Sequence, residues 1–361
     1  MPLENTELQF TPLYNKHMER GARMVPFSGW NMPVQYTGIL QEHMHTREKA
    51  SVFDISHMGE FFLKGSSVYK DVDRLVTCRL DDVADGRCRY GFLLNEQGCV
   101  IDDMIIFRIS SFEFMIVVNA GTLEKDREWI CKNISSGTEF TDRSVATAKI
   151  DIQGPLSPVV MDSVMPGSGI SGLKRFNFRH LTWNGIELLV SATGYTGEKG
   201  YEIFLPVEEA AGLWDAFLAI EDVEPAGLGA RDSLRLEKGF SLYGHDIDES
   251  HTPLESGLER FVYLEKDFIG KGSLLERKER GFGRILTGFV CAGRRSAREK
   301  FMVKIDNKIS GVVTSGVFSP CLKKGIGLCY IDKKIPVEGQ DVILTDGRVE
   351  IEAVTKKPPF V

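Results

Sequence analysis

The chain has 361 residues, 42% of them hydrophobic and 26% charged, which is globular composition with length enough for two or three domains and excludes a fibre or a disordered tail. A formal net charge of -7 leaves no basic field to draw in a phosphate backbone, so nucleic acid is not an expected partner. No apolar run reaches the ~18 residues that a membrane span needs, and the start, Met1-Pro2-Leu3-Glu4-Asn5-Thr6-Glu7, has neither a signal-peptide nor a transit-peptide pattern.

Leu40 to Ala50 reads as a polar-faced helix, followed by a short strand Ser51 to Ile55, the step Ser56-His57-Met58-Gly59, and a strand from Glu60 that turns at Gly65. Next comes Gly98-Cys99-Val100-Ile101-Asp102-Asp103-Met104-Ile105-Ile106-Phe107, an apolar strand with two adjacent carboxylates in its middle. Strand side chains alternate between faces, so Asp102 and Asp103 point to opposite sides, and one of them must face inward. A buried carboxylate is costly unless it is paired, protonated or employed, so the pair marks either a structural ion pair or a working acid.

A further strand, Phe112 to Val118, is ended by Asn119-Ala120-Gly121, and Thr122 to Asn133 reads as a helix with Thr122 as its N-cap. Gly167 to Gly172 has a formal G-x-G-x-x-G spacing but follows no strand, which makes it a loop and not a dinucleotide site. The segment Ser191 to Leu205 joins two apolar strands through Gly194, Gly197 and Gly200, whose missing side chains allow close backbone approach. Tyr195 sits at the tip of that turn, where a ring could cover a flat ligand. Glu202 enters the second strand between Tyr201 and Ile203, and its carboxylate could accept two N–H bonds from a guanidine-like edge; a solvent-facing Glu on an amphipathic strand is the alternative.

Pro225 to Glu237 is a Gly-rich turn opening a helix, where free N–H groups beside Arg231 would suit an anion, unless Arg231 is a structural partner of an acid. The stretch Arg277 to Arg284 is charged and Gly-containing, a domain boundary that divides the chain into residues 1–280 and 281–361. Beyond it, short strands at Ile285 to Val290, Ile309 to Thr314, Gly325 to Ile331, Asp341 to Leu344 and Glu350 to Val354 predict a small β-barrel, and Pro358-Pro359 closes the chain in an extended tail. The mixture of hairpin-linked strands and helices gives an α+β fold class.

Seven cysteines are an odd number and form no C-x-x-C pair, which points to reduced thiols, a cytoplasmic setting and no metal site. His43 and His45 do not share a helix face, and no H-E-x-x-H is present. Neither a G-x-S-x-G elbow nor a Walker A sequence occurs, which removes ordinary serine hydrolases and P-loop kinases.

In order, Pro26-Phe27-Ser28-Gly29-Trp30-Asn31-Met32-Pro33, Phe53-Asp54-Ile55-Ser56-His57-Met58-Gly59-Glu60, Asn95-Glu96-Gln97-Gly98 with Asp102-Asp103, Gly194-Tyr195-Thr196-Gly197-Glu198, Leu242-Tyr243-Gly244-His245-Asp246 and the terminal Lys356-Lys357-Pro358-Pro359-Phe360 resemble the aminomethyltransferases, the T-proteins of the glycine cleavage system. The likeness runs from about Thr11 to the end. It implies a multidomain cloverleaf of mainly antiparallel sheets with flanking helices around a central folate cavity, two intertwined subdomains being followed by the barrel. It also implies a substrate, the aminomethyl group on the lipoyl arm of a partner H-protein, and a cosubstrate, tetrahydrofolate, converted to 5,10-methylenetetrahydrofolate with release of ammonia.

Carried over position by position, the essential acid is Asp103, and the folate contacts are Tyr90, Tyr195, Glu202 and Arg231, with Asn119 and Met58 on the cavity wall. Around Arg294 to Phe301 the chain departs from the family, Ala297 standing in place of a Pro and Lys300-Phe301 in place of Gly-Tyr, which leaves Arg298 as a candidate for the glutamate tail. Folate-dependent demethylases share the fold, and a non-catalytic folate-binding protein is an alternative of another class.

Overall fold

Strands hold more of the described residues than helices do, and each sheet face follows the alternation of its residues. The computed structural model describes residues 7–361, which fall into two units: the chain up to Val72 with Asp81–Tyr90 and Met104–Arg231, and Asp73–Leu80 with Gly91–Asp103 and Asp232–Val361.

In the first unit a six-stranded sheet runs in the order Phe178–Trp183, Ile186–Ser191, Gly200–Pro206, Thr147–Gln153, Ala50–Asp54 and Val223–Pro225. Its last pair is parallel and the others are antiparallel. One face holds Ala50, Val52, Ala148, Ile150, Ile152, Tyr201, Ile203 and Leu205, packed with residues of the helices Ser157–Val164 and Ala210–Leu218. Leu213, Trp214 and Phe217, at helical spacing, are the inward stripe of the second helix.

A five-stranded sheet has the order Arg87–Leu94, Val100–Ser110, Glu113–Val118, Gly59–Gly65 and Thr138–Asp142. Phe107, Met115 and Val117 from it share a core with Leu189 and Phe204 of the six-stranded sheet. The six-stranded sheet is therefore covered on both faces, by helices on one and by this second core on the other. Within Val100–Ser110, Asp102 is fully buried and Asp103 half-buried, so the tandem carboxylates do lie on opposite faces.

The helix after Glu113–Val118 runs from Leu123 to Asn133 with Thr122 at its N-cap position, as expected, but the Thr122 side chain makes no capping bond. At φ -117° and ψ -2° its backbone is already helical, and its hydroxyl donates to the Asn119 carbonyl at 3.0 Å instead of accepting from the first turn.

In the second unit six strands close a barrel: Arg284–Cys291, Lys324–Asp332, Lys308–Ser319, Met302–Ile305, Asp341–Thr345 and Glu350–Thr355. The five expected runs all form strands. The sixth, Met302–Ile305, escaped the reading because it is short, yet its hairpin signal is present. Asp306-Asn307 forms the two-residue link to Lys308, with φ of +48° and +61°, as a primed turn requires. Phe289, Val303, Val313, Ile331 and Leu344 fill the interior. Phe289 is fully buried there, so Phe289→Ala should cost roughly 3–5 kcal/mol, read as a lowered denaturation midpoint of the full chain.

Candidate active site

The strand Thr147–Gln153 sends Ala148, Ile150 and Ile152 into the helix-covered core, which forces Lys149, Asp151 and Gln153 onto the other face. Pairing with Gly200–Pro206 sets Glu202 directly opposite Asp151, Gly200 opposite Gln153 and Phe204 opposite Lys149. Lys149, Asp151 and Glu202 are 1%, 0% and 6% exposed. Two buried carboxylates facing each other across a strand pair repel unless each has a cation.

Each does. Arg231 Nη1 donates to Asp151 Oδ2 at 2.8 Å, and Lys149 Nζ lies 3.6 Å from Glu202 Oε1. The remaining oxygens are also met, since Gln153 Nε2 donates to Asp151 Oδ1 at 2.6 Å and Thr193 Oγ1 to Glu202 Oε2 at 2.5 Å. Burial, with Glu202 behind it, pushes the Asp151 carboxyl up to about 7 against the pull of Arg231, Gln153 and Lys149. Lys149 Nζ has two further neighbours, the Met58 sulfur at 3.6 Å and the Phe204 ring centroid at 5.0 Å.

The glycine turn wraps this cluster. A side chain at Gly194 or Gly200 would come within 2.1 Å or 2.0 Å of Gln153, so only glycine lets the turn close over that amide. Thr196 Oγ1 then donates to Gln153 Oε1 at 2.7 Å. Tyr195, carried on the same turn, has its ring centroid 5.1 Å from the Arg231 guanidinium carbon.

The start of the helix Leu228–Glu237 is not the open anion cradle that the sequence suggested. Glu42 Oε2 accepts the Gly227 N–H at 2.8 Å, while its Oε1 accepts from Tyr36, Thr37 and Gly38. The anion there is the protein's own carboxylate. Arg231 likewise has the acidic partner that the alternative reading foresaw.

Two polar side chains beside the cluster stand out. Glu60 lies opposite Val117, and Phe62 opposite Met115, so Glu60 shares its sheet face with the core around Phe204. It is 0% exposed, and neither carboxyl oxygen has a hydrogen-bond partner among the described residues. Burial holds its carboxyl well above the usual carboxylate range, with Asp142 and Glu202 pushing the same way against Lys149. His57 is also buried, its Nδ1 is without a hydrogen-bond partner among the described residues, and burial pushes it down to about 4, a neutral ring at neutral pH.

Of the residues picked out in the sequence, Met58, Tyr195, Glu202 and Arg231 are thus tied into one cluster through Lys149 and Asp151. Tyr90 is half-buried on Arg87–Leu94, and Asn119 is half-buried just after Glu113–Val118, where its carbonyl accepts from Thr122. Asp103 belongs with the second unit, at its boundary on Val100–Ser110. Also in the second unit, Ala297 is buried in the barrel core and Arg298 is exposed, donating to the Gly316 carbonyl at 3.2 Å. The reading missed Lys149, Asp151, Gln153 and Glu60. The alternation Lys149-Ile150-Asp151-Ile152-Gln153 carried the signal for the first three: a polar face on a strand whose apolar face is β-branched.

Residues 13–266 match the family described as GCVT N-terminal domain, and residues 284–361 the glycine cleavage T-protein C-terminal barrel domain. The aminomethyltransferase of Halothermothrix orenii is 41% identical over 357 residues, covering 97% of this chain and 99% of that protein. That of Thermotoga maritima is 40% identical over 354 residues, with 97% of each chain covered. The crystal structure of glycine cleavage system aminomethyltransferase T from Bartonella henselae superposes with a TM-score of 0.92 at 32% identity, covering 98% of both chains. Sheets and barrel are those of a GCVT-type protein. The chain belongs to the glycine cleavage T-protein family, the aminomethyltransferases.

The buried Glu60 acid makes stability fall with pH. Its folded-state proton affinity exceeds that of the unfolded chain, so its contribution is intact below the ordinary glutamate pKa of about 4.3 and is lost as pH rises toward the folded value. Glu60→Gln, isosteric with the neutral acid, should raise the thermal midpoint at pH 8, and the gain should shrink toward zero near pH 4.5; melting curves across that range check it.

Proposed function

We propose that the chain is a tetrahydrofolate-dependent aminomethyltransferase that takes the aminomethyl group from the lipoyl arm of H-protein. The methylene passes to tetrahydrofolate as 5,10-methylenetetrahydrofolate, with ammonia and dihydrolipoyl H-protein released. Family membership over nearly the whole length supplies the reaction. The observation that ties it to these residues is the convergence of Met58, Tyr195, Glu202 and Arg231, far apart in sequence, on one buried cluster. Such a cluster suits a flat heterocycle rich in N–H donors, because Glu202 presents a carboxylate whose lone pairs exceed its two protein partners.

In this reading Glu202 accepts the amino and ring N–H groups of the pterin, Tyr195 covers the ring beside Arg231, and Tyr90, Asn119 and Met58 line the wall. Loss of the lipoyl thiolate leaves an iminium-like carbon that a folate nitrogen attacks, so positive charge develops beside the pterin. Asp103 is the acid assigned to that charge. At ~4 Å and an effective dielectric near 20 a carboxylate contributes at most roughly 4 kcal/mol, or about 10³ in rate. Its half-buried position leaves it reachable by a ligand, as the fully buried Asp102 is not.

No helix among the described residues is long and apolar enough to cross a membrane, and Cys88, Cys99, Cys131, Cys291 and Cys329 are free thiols. Burial pushes the Cys291 and Cys329 thiols up to about 11 and about 12, so they are inert packing groups, as suits a reducing cytoplasmic setting, while H-protein as partner follows from the family.

Tetrahydrofolate-dependent ammonia release from aminomethylated, lipoylated H-protein tests the reading; a folate binder without activity would hold the ligand and release none. Asp103→Asn should keep the fold by circular dichroism and lower turnover at least about a hundredfold. Turnover near that of the parent would remove Asp103 from the mechanism.

A further inference from the structure

The cluster comprises three acids, Asp151 and Glu202 on the six-stranded sheet and Glu60 on the five-stranded one, and two cations, Lys149 on the strand Thr147–Gln153 and Arg231 on the helix Leu228–Glu237. Arg231 is committed to Asp151 by a 2.8 Å contact. Lys149 is the cation left for the other two acids. Among the described residues its ammonium makes no tight hydrogen bond: the Glu202 oxygen and the Met58 sulfur are each 3.6 Å away, and the Phe204 ring centroid is at 5.0 Å. Glu60 has no cation or donor on either oxygen among the described residues, the arrangement of a carboxylic acid that keeps its proton. With Glu60 neutral and Asp151 held by Arg231, the field of Lys149 is spent on Glu202.

We propose that Lys149 is a positioning residue for the folate ligand: its ammonium, lodged between Glu202, the Met58 sulfur and the Phe204 ring, keeps Glu202 an ionised acceptor for the 2-amino edge of the pterin. The proposal rests on the reading that Glu202 takes that edge. A carboxyl 6% exposed and directly across the strands from Asp151 would, without Lys149, take up a proton. The carboxylic acid then presents an O–H to a ligand edge that is itself all N–H, and donor meets donor. The charged and titratable groups that act on Glu202 are Asp151 and Lys149 from the adjoining strand, Glu60 from Gly59–Gly65 and Cys88 from Arg87–Leu94. Lys149 is the cation among these, and Arg231, from the helix Leu228–Glu237, is committed to Asp151.

The test uses the full chain with two ligands, tetrahydrofolate and its analogue lacking the 2-amino group, in anaerobic equilibrium binding from about pH 6 to about pH 9. For the parent protein the analogue should bind about tenfold more weakly at every pH, because it lacks the 2-amino edge that the Glu202 carboxylate accepts. Lys149→Met should weaken tetrahydrofolate about tenfold or more at neutral pH, recover affinity as pH rises, and weaken the analogue less than about threefold. Lys149→Arg should restore discrimination between the two. A Lys149→Met protein that loses affinity for both ligands equally, with no recovery at high pH, overturns the proposal. Should that variant fail to fold, the parent protein still decides: discrimination that collapses toward pH 6 overturns it, and constant discrimination supports it. A parent protein that binds neither ligand removes the folate reading itself, and the role of Lys149 with it.

Discussion

Placing Asp151 and Glu202 directly opposite each other on a buried sheet face is the constraint around which the first unit is arranged. Breaking a buried ion pair by removing one partner typically costs about 3–5 kcal/mol, so the chain has to deliver a cation and further donors to each carboxylate. It does so with five residues from three segments: Lys149 and Gln153 from the strand itself, Thr193 and Thr196 from the glycine turn, and Arg231 from a helix that starts at Leu228. Gln153 is the keystone of this set. Its amide donates to Asp151 and to the Thr193 carbonyl while accepting from Thr196, and the turn glycines leave it the room.

Both faces of the six-stranded sheet are buried, which removes the usual separation of a wet polar face from a dry apolar one. Polar residues on the inner face therefore sit in low dielectric, where each charge either finds a partner or gives up its ionisation. Arg231 with Asp151 and Lys149 with Glu202 are the first outcome; Glu60 and the neutral His57 are the second. A face built this way is expensive for a fold that needs only stability.

The same logic distinguishes the features that bind the protein to itself. Glu42 takes four backbone N–H groups, including Gly227 at the start of the Leu228–Glu237 helix, and so fills with a side chain what a glycine-rich helix start often leaves for an anion. In the second unit Asp246 is held by Arg235 at 2.7 Å and by Thr314 at 2.5 Å, all buried, an internal strap between a helix and the barrel wall. Neither carboxylate resembles Glu202, whose cation stands back at 3.6 Å.

The sequence by itself determined the α+β class, five of six barrel strands, the opposite facing of Asp102 and Asp103, and the family, because alternation, turn residues and motif order are local properties written along the chain. Met58, Tyr195, Glu202 and Arg231, singled out from its motifs, meet in one cluster. What the sequence left open was partnership. Whether Arg231 meets a ligand or an acid, whether the helix start is vacant, and which cation serves Glu202 depend on strands and turns that meet only after folding. Asp151 looked like an ordinary acid between two isoleucines, and Glu60 like the first residue of a strand. Register set one against Glu202 and drove the other into a dry core, and burial, which acts on neighbours in space and not in sequence, then fixed the charge that each can carry.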